Sequence, residues 1–201
     1  GIELPGSKSI SNRALILAVL NQGPVELRGI LDSDDVNIML AALKDLGIKI
    51  REGKKNSIYI EGTGGKIPVK SATLNVGNAG TVARFLTAWL AIQEKASYNL
   101  DGSFEMRKRP IGQLLNFFQA GGVEVTYQNE HGHFPFSLKT SFFNSAKWKV
   151  DATKSSQVLS ALMMISPLCS RNQTVEFQNG TVSMPFLNIT KKMIELFSDY
   201  K

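Results

Sequence analysis

A segment of about 75 residues recurs along this 201-residue chain, and a recurrence of that length limits the folds open to it. Apolar residues spaced i, i+3, i+4 and i+7 lie on one face of a helix. Such stripes occur over 34–47, 109–122 and 184–197; the first two match position for position at an offset of 75 residues, and most of the third follows at that offset. A second set of helical stripes precedes these, over 9–20, 81–92 and 156–167.

Short β-rich runs follow the helices in a constant order. Those after the first helix of each segment cover 25–27, 98–100 and 175–177. Those after the second helix cover 48–50, 58–60, 123–125 and 136–138, and they come after glycines fit to end a helix, Gly47, Gly121 and Gly122. The unit is therefore β-α-β-α-β-β, with two full copies over about 1–71 and 72–146 and a third over 147–201 that stops after its second helix.

We predict an α+β fold with pseudo-threefold symmetry, in which the helices pack together inside and mixed sheets lie outside, in a single domain over 1–201. Chance periodicity in an ordinary α/β protein is the alternative, and the four-position match at one offset argues against it. The single cysteine, Cys169, cannot form an internal disulfide, which indicates a reducing compartment and favours the cytoplasm. The apolar runs are too short to span a bilayer.

The net charge of +6 favours an anionic partner. Only 107–109 is a dense basic run, and the other cations are scattered, several beside glycine and serine. A nucleic-acid-binding domain would carry a basic stripe interleaved with exposed aromatic residues, which this sequence lacks. We therefore predict no nucleic-acid or membrane partner, and a small anion held at a few points.

The first helix of each segment opens on small polar residues with many hydrogen-bond donors. These openings read PGSKSISNR over 5–13, GNAGT over 77–81 and KSSQ over 154–157. A helix N-terminus exposes unpaired N–H groups and the positive end of the dipole, so it attracts anions. Each serine or threonine in these openings, considered alone, could equally be a helix N-cap and nothing more. If the repeat is real, the three openings face one side and form a cationic cradle.

Two other groups of residues have simpler explanations. His131 and His133 lie in a loop without cysteine or acidic residues at metal-ligand spacing, so a zinc site is not expected. Asp32, Asp34 and Asp35 form an acidic cluster, but they stand at the start of a helix, where carboxylates stabilise the dipole. We interpret the cluster as a helix start.

Five motifs in this sequence resemble those of the 5-enolpyruvylshikimate-3-phosphate synthases. They are LPGSKSISNRAL over 4–15, LDSDDV over 31–36, GNAGT over 77–81, RPIG over 109–112 and SSQ over 155–157. The related transferase acting on UDP-N-acetylglucosamine has Lys-Asn where this chain has Lys8-Ser9. The resemblance implies the N-proximal domain of a two-domain transferase of the shikimate pathway, which leads to chorismate and the aromatic amino acids and is the target of glyphosate. It also implies that no cofactor or metal is needed.

The resemblance assigns each motif residue a substrate, either shikimate 3-phosphate or phosphoenolpyruvate. The shikimate carboxylate is expected at Ser9 and Arg13, with Gln157 along the ring and the 3-phosphate at Ser155, Ser156 and Ser183. The phosphoenolpyruvate phosphate is expected at Gly80, Arg109 and the catalytic residue Lys8, in a pocket shaped by Asn78 and Thr81.

The chain departs from the family pattern at Phe186, where tyrosine is frequent, at Phe85, where proline is common, and at Glu105, where a basic residue is usual. The family's acid–base carboxylates belong to its other domain and match nothing here. We therefore expect this chain to be inactive alone. A non-catalytic anion-binding module of the same fold is the alternative.

Overall fold

A computed structural model describes residues 1–3, 6–54, 57–141, 143, 147–151, 156–169, 174–178 and 184–198. The first repeat contains β1 (Ile2–Glu3), α1 (Lys8–Leu20), β2 (Gln22–Arg28), α2 (Asp34–Asp45), β3 (Ile50–Glu52) and β4 (Ser57–Thr63). The second contains β5 (Ser71–Asn75), α3 (Gly80–Ala91), β6 (Ala96–Asp101), α4 (Phe104–Arg107), α5 (Gly112–Ala120), β7 (Glu124–Tyr127) and β8 (Phe136–Thr140). The third contains β9 (Lys147–Asp151), α6 (Ser156–Ile165), a 3-10 turn (Ser166–Leu168), β10 (Thr174–Gln178) and α7 (Met184–Ser198).

The sheets of the first two repeats have the same strand order and the same pattern of directions. The first sheet runs β1-β2-β4-β3 and the second β5-β6-β8-β7. In each, the first two strands pair in parallel and the remaining pairs are antiparallel. Within the described residues, β9 and β10 also pair in parallel. The predicted α+β fold with mixed sheets and a repeated β-α-β-α-β-β unit is confirmed.

Helices α1, α3 and α6, called the inner helices below, pack against one another. Every residue of α3 except Thr81 is buried, which makes α3 the most enclosed of the three. Near its C-terminus, the Trp89 indole N–H donates to the Gly65 carbonyl at 2.8 Å, and the Gln93 amide donates to the same oxygen at 2.9 Å. These bonds attach α3 to the segment that joins the first repeat to the second.

Within the described residues, no helix is long and apolar enough to cross a membrane.

The helix predicted over 109–122 is shorter in the structure, and a separate short helix, α4, precedes it. Helix α5 begins only at Gly112, and Pro110 disfavours helical backbone in Arg109, the residue before it. Arg109 therefore lies in the loop between α4 and α5. The predicted helix ends are confirmed at Gly47 and Gly122, whose φ angles of 85° and 96° are left-handed.

Candidate active site

A cavity of about 840 Å³ lies where the inner helices begin. We call it the inner-helix cavity. It is lined by Lys8, Asp34, Asp35, Asn37, Ile38, Ala41, Asn78, Ala79, Gly80, Thr81, Arg109 and Gln157. Six of the eleven residues predicted to bind substrate, from four separate stretches of the chain, thus face one space.

The N-terminal turns of all three inner helices contribute to this cavity. Lys8 opens α1, Gly80 and Thr81 open α3, and Gln157 is the second residue of α6. The Gln157 side-chain amide donates to the Thr81 hydroxyl at 3.1 Å, so the starts of α3 and α6 are joined directly. Converging helix N-termini present N–H groups and positive dipole ends to the same volume, which favours a bound anion.

Gly80 and Arg109 are in such close contact that a side chain at position 80 would require the Arg109 guanidinium to shift. A Cβ atom on Gly80 would lie 2.6 Å from Arg109 Nη1 and closer still to Nη2. Arg109 Nη1 also donates to the Asn78 carbonyl at 3.4 Å. The positively charged guanidinium of Arg109 therefore lies against the start of α3, close to Gly80 and Asn78.

Arg84 supports this arrangement from behind. It donates from Nη1 to the Gly80 carbonyl at 3.1 Å and from Nη2 to the Pro110 carbonyl at 2.8 Å, which links the start of α3 to the loop carrying Arg109. Burial, together with the nearby positive charge of Arg109, lowers the pKa of Arg84 to about 10. Arg84 remains a cation at neutral pH and adds to the positive field behind the cavity.

The inner-helix cavity is lined by carboxylates as well as by positive groups. This corrects the interpretation of the acidic cluster as only a helix start. Asp34 and Asp35 do lie in the first turn of α2, as predicted. Both also line the inner-helix cavity, and Asp35 Oδ1 accepts from Lys8 Nζ at 3.1 Å. An anion entering the cavity meets a carboxylate that competes for the same ammonium group.

Replacing Asp35 with asparagine is expected to tighten the binding of inorganic phosphate by about 3- to 10-fold, since one negative charge is removed near the site. Calorimetric titration of the chain with phosphate measures the change. Asp45→Asn, at the opposite and exposed end of α2, is the matched control and should leave the affinity unchanged. Weaker phosphate binding in Asp35→Asn would show that the carboxylate helps to place Lys8 instead of competing for it.

Ser9 and Arg13 lie outside the lining of the inner-helix cavity, but they are joined to each other. Arg13 Nη1 donates to the Ser9 carbonyl at 3.0 Å and also to the Ser9 hydroxyl oxygen. Arg13 is only 2% exposed, whereas Ser9 is half-buried. Because the Ser9 oxygen accepts from the guanidinium, its own hydroxyl proton is left to donate to a ligand.

The remaining predicted binding residues belong to the third repeat. Ser156 is half-buried at the first position of α6, beside Gln157, and is not part of the cavity lining. Ser155 and Ser183 lie outside the described residues. Phe186, which replaces the frequent tyrosine, is 41% exposed, and its ring centroid lies 5.9 Å from the Arg13 guanidinium carbon.

Residues set aside in the sequence analysis make local contacts in the structure. The His131 ring lies 4.4 Å from the Tyr127 ring, centroid to centroid, and His133 Nδ1 lies 3.5 Å from Glu130 Oε1. Cys169 is half-buried, and burial raises the pKa of its thiol to about 11. Among the described residues, histidine, cysteine, aspartate and glutamate form no group of three or more suited to a metal ion.

The sequence profile of EPSP synthase (3-phosphoshikimate 1-carboxyvinyltransferase) matches residues 1–199 of the chain. The chain belongs to the EPSP synthase family. Relatives named 3-phosphoshikimate 1-carboxyvinyltransferase include one from Cellvibrio japonicus, 39% identical over 197 residues, and one from Ralstonia nicotianae, 41% identical over 201 residues. Each alignment covers 98% of this chain and 46% of the relative, so the chain spans about half the length of the curated relatives it matches.

The fold of the EPSP synthase family is also seen in the structural comparison. A 2.37 Å structure of EPSP synthase from Acinetobacter baumannii superposes with a TM-score of 0.79 at 23% sequence identity. The superposition covers 96% of this chain and 42% of that protein. The family resemblance inferred from the five motifs is therefore confirmed, together with the fold.

Four residues around the predicted site were missed in the sequence analysis as possible site residues: Asp35, Arg84, Ser160 and Thr190. Arg84 follows Gly80 by four positions, and Ser160 follows Ser156 by four, so each lies one turn along the same helical face as a predicted site residue. That spacing is a usable signal for both. Thr190 carries no such signal, because its partner Arg13 is 177 positions away.

Proposed function

We propose that this chain is the N-proximal domain of a 3-phosphoshikimate 1-carboxyvinyltransferase. With a second, C-proximal domain it transfers the enolpyruvyl group of phosphoenolpyruvate to the 5-hydroxyl of shikimate 3-phosphate. The chain would form a single domain, with repeat units over about 1–71, 72–146 and 147–201. The observation that carries the proposal is the convergence of Lys8, Thr81 and Gln157, one from each inner helix, on a single cavity that also holds Arg109.

The positive groups of the inner-helix cavity suit a reaction between two anions. Shikimate 3-phosphate and phosphoenolpyruvate each carry a phosphate and a carboxylate, so their mutual repulsion must be offset when they meet. Lys8 and Arg109, with the N–H groups at the start of α3, supply positive charge for the phosphoenolpyruvate phosphate. Asn78 and Thr81 form the adjoining walls of that pocket.

Phosphate departure is the step that these donors are placed to assist. The 5-hydroxyl group loses its proton as its oxygen adds to C2 of phosphoenolpyruvate, and the methylene carbon of phosphoenolpyruvate takes up a proton, which gives a tetrahedral adduct. The adduct then loses that methyl proton and phosphate leaves as its C–O bond breaks. Lys8 and Arg109, held on the phosphate, stabilise the charge that develops on the leaving oxygen.

The shikimate 3-phosphate site would lie between the first and third repeats. Ser9 and Arg13 would hold its carboxylate, Gln157 would lie along the ring, and Ser155, Ser156 and Ser183 would bind its 3-phosphate. The Ser9–Arg13 contact supports the first assignment, since the Ser9 hydroxyl oxygen accepts from the guanidinium and its proton stays available to an incoming acceptor. We place the protein in the cytoplasm. We also expect glyphosate to compete with phosphoenolpyruvate in the inner-helix cavity.

Calorimetric titration of the chain with shikimate 3-phosphate tests the proposal. Saturable binding is expected, and Arg13→Ala or Ser156→Ala should reduce it by at least about 10-fold, since each removes a donor to an anionic group. Ser198→Ala, an exposed position at the far end of α7, is the control and should bind like the unsubstituted chain. Heat no greater than that of dilution in the unsubstituted chain would overturn the proposal.

A further inference from the structure

The Arg13 guanidinium is held inside the domain by hydroxyl groups from three helices. It makes two hydrogen bonds to Ser9 of α1, one from Nε to the Thr190 hydroxyl of α7 at 2.8 Å, and one from Nη2 to the Ser160 hydroxyl of α6 at 2.9 Å. Ser160 and Thr190 are both fully buried. Within the part of the chain that the structure describes, four of the five N–H groups of the guanidinium therefore have partners, and one on Nη2 has none.

The hydroxyl groups orient the Arg13 charge without neutralising it. Among the described residues, no carboxylate accepts from Arg13, and aromatic rings lie beside it instead: the guanidinium carbon lies over the rings of Phe85 and Phe186, 5.2 Å and 5.9 Å from their centroids. A buried charge without a counter-charge costs free energy. Burial accordingly lowers the pKa of Arg13 to about 10. A site of this kind keeps its positive charge available to an incoming anion.

Thr190 also connects the Arg13 guanidinium to the start of α7. Its hydroxyl oxygen lies 2.8 Å from the Phe186 carbonyl, one turn earlier in α7, and 3.1 Å from Ser160 Oγ. The Thr190 hydroxyl can donate its proton to either the Phe186 carbonyl or Ser160 Oγ, while the Thr190 oxygen accepts from Arg13 Nε. Without the Thr190 hydroxyl, Arg13 Nε would lose its hydrogen bond, and the contact of the Arg13 guanidinium with the turn that carries Phe186 would weaken.

We propose that Ser160 and Thr190 are positioning residues, which hold the Arg13 guanidinium so that its remaining Nη2 N–H and the Ser9 hydroxyl bind the carboxylate of shikimate 3-phosphate. This inference rests on the proposed function. Neither residue touches the substrate; each acts through Arg13. Preorganisation of the guanidinium by groups from the third repeat removes the cost of ordering it when the ligand binds.

Thr190→Val and Thr190→Ser separate the hydroxyl from the shape of the side chain. Calorimetry on the 201-residue chain should show about 10-fold weaker binding of shikimate 3-phosphate in Thr190→Val, since a hydrogen bond to a charged group is lost. Thr190→Ser should stay within about twofold of the unsubstituted chain. Ser160→Ala, which changes the side-chain volume little, should weaken binding in the same direction as Thr190→Val.

Inorganic phosphate distinguishes positioning from general damage. We expect it to bind at the Lys8–Arg109 side of the site, so its affinity should stay within about twofold in all these variants, whereas a damaged domain would lose affinity for both ligands. Equal losses for both ligands, or unchanged shikimate 3-phosphate affinity in Thr190→Val, would overturn the inference. Failure of the unsubstituted chain to bind shikimate 3-phosphate would overturn the proposed function itself.

Hydrogen exchange at Arg13 Nε, followed by NMR, tests the same inference without a ligand. The Nε–H hydrogen should exchange slowly in the unsubstituted chain and in Thr190→Ser, because it is buried and bonded to a hydroxyl oxygen. It should exchange much faster in Thr190→Val. Equal exchange in the three proteins would overturn the claim that the Thr190 hydroxyl holds the guanidinium.

Discussion

Gly80→Ala should weaken the binding of phosphoenolpyruvate by about 2–4 kcal/mol, the range measured when a charge-assisted contact to a bound anion is lost. A methyl group on Gly80 would lie 2.6 Å from Arg109 Nη1, so the guanidinium must shift away from Gly80. The N–H groups of α3 and the Arg109 charge then no longer face the same phosphate. Titration of the chain with phosphoenolpyruvate measures the loss.

A double-substitution cycle with Arg109→Ala is the control for this prediction. If the added methyl acts only by displacing Arg109, the effects of Gly80→Ala and Arg109→Ala should be strongly non-additive, and the double variant should resemble Arg109→Ala alone. Thermal unfolding checks that each variant is folded. Additive losses would show that the methyl group acts on the ligand or the helix directly, in contradiction to the contact described.

Trp89→Ala should lower the free energy of unfolding by about 3–5 kcal/mol, the usual cost of emptying a large buried aromatic site. Trp89 is fully buried in α3, the most enclosed inner helix, and its indole donates to the Gly65 carbonyl at 2.8 Å. The substitution leaves a cavity and removes one of the two hydrogen bonds to that carbonyl, the other being donated by the Gln93 amide. Urea unfolding followed by circular dichroism gives the value.

Leu196→Ala is the matched control for Trp89→Ala, since Leu196 is 45% exposed on α7. It should change the free energy of unfolding by less than about 1 kcal/mol. The folded fraction of Trp89→Ala should keep its affinity for phosphate, because Trp89 lies in the last turn of α3, away from the cavity at the N-terminus. If Trp89→Ala lowers the free energy of unfolding by less than about 1 kcal/mol, the result would contradict the description of α3 as the most enclosed inner helix.

The helices and the order of helices and strands along the chain were predictable because they depend on local periodicity and its recurrence. Four apolar positions of α2 recur 75 residues later, three of them in α5 and one at Ile111 just before it, and the structure gives both repeats the same sheet order. Helix α4 escaped prediction because four residues, Phe104–Arg107, are too few to show a helical period. The start of α5 was predicted too early, because the apolar stripe extends through Ile111 while Pro110 delays the helix.

The polar contacts of the site were less predictable than the helices, because they depend on residues far apart in sequence. The pairing of Asp35 with Lys8 joins two helices, and a helix start is a sufficient local explanation for a carboxylate at that position. Arg13 is the clearest case. A charged residue is normally expected at the surface, and only its partners on α6 and α7, 147 and 177 positions away, make its burial possible.

The convergence of the three inner-helix starts on one ligand site is tested most directly by a titration with shikimate 3-phosphate and inorganic phosphate, followed at the backbone amides by NMR. Amides at Lys8, Thr81 and Gln157 should shift together and saturate with a common dissociation constant for each ligand. Shifts limited to one of the three helices, or centred on a surface away from these residues, would contradict a shared anion site.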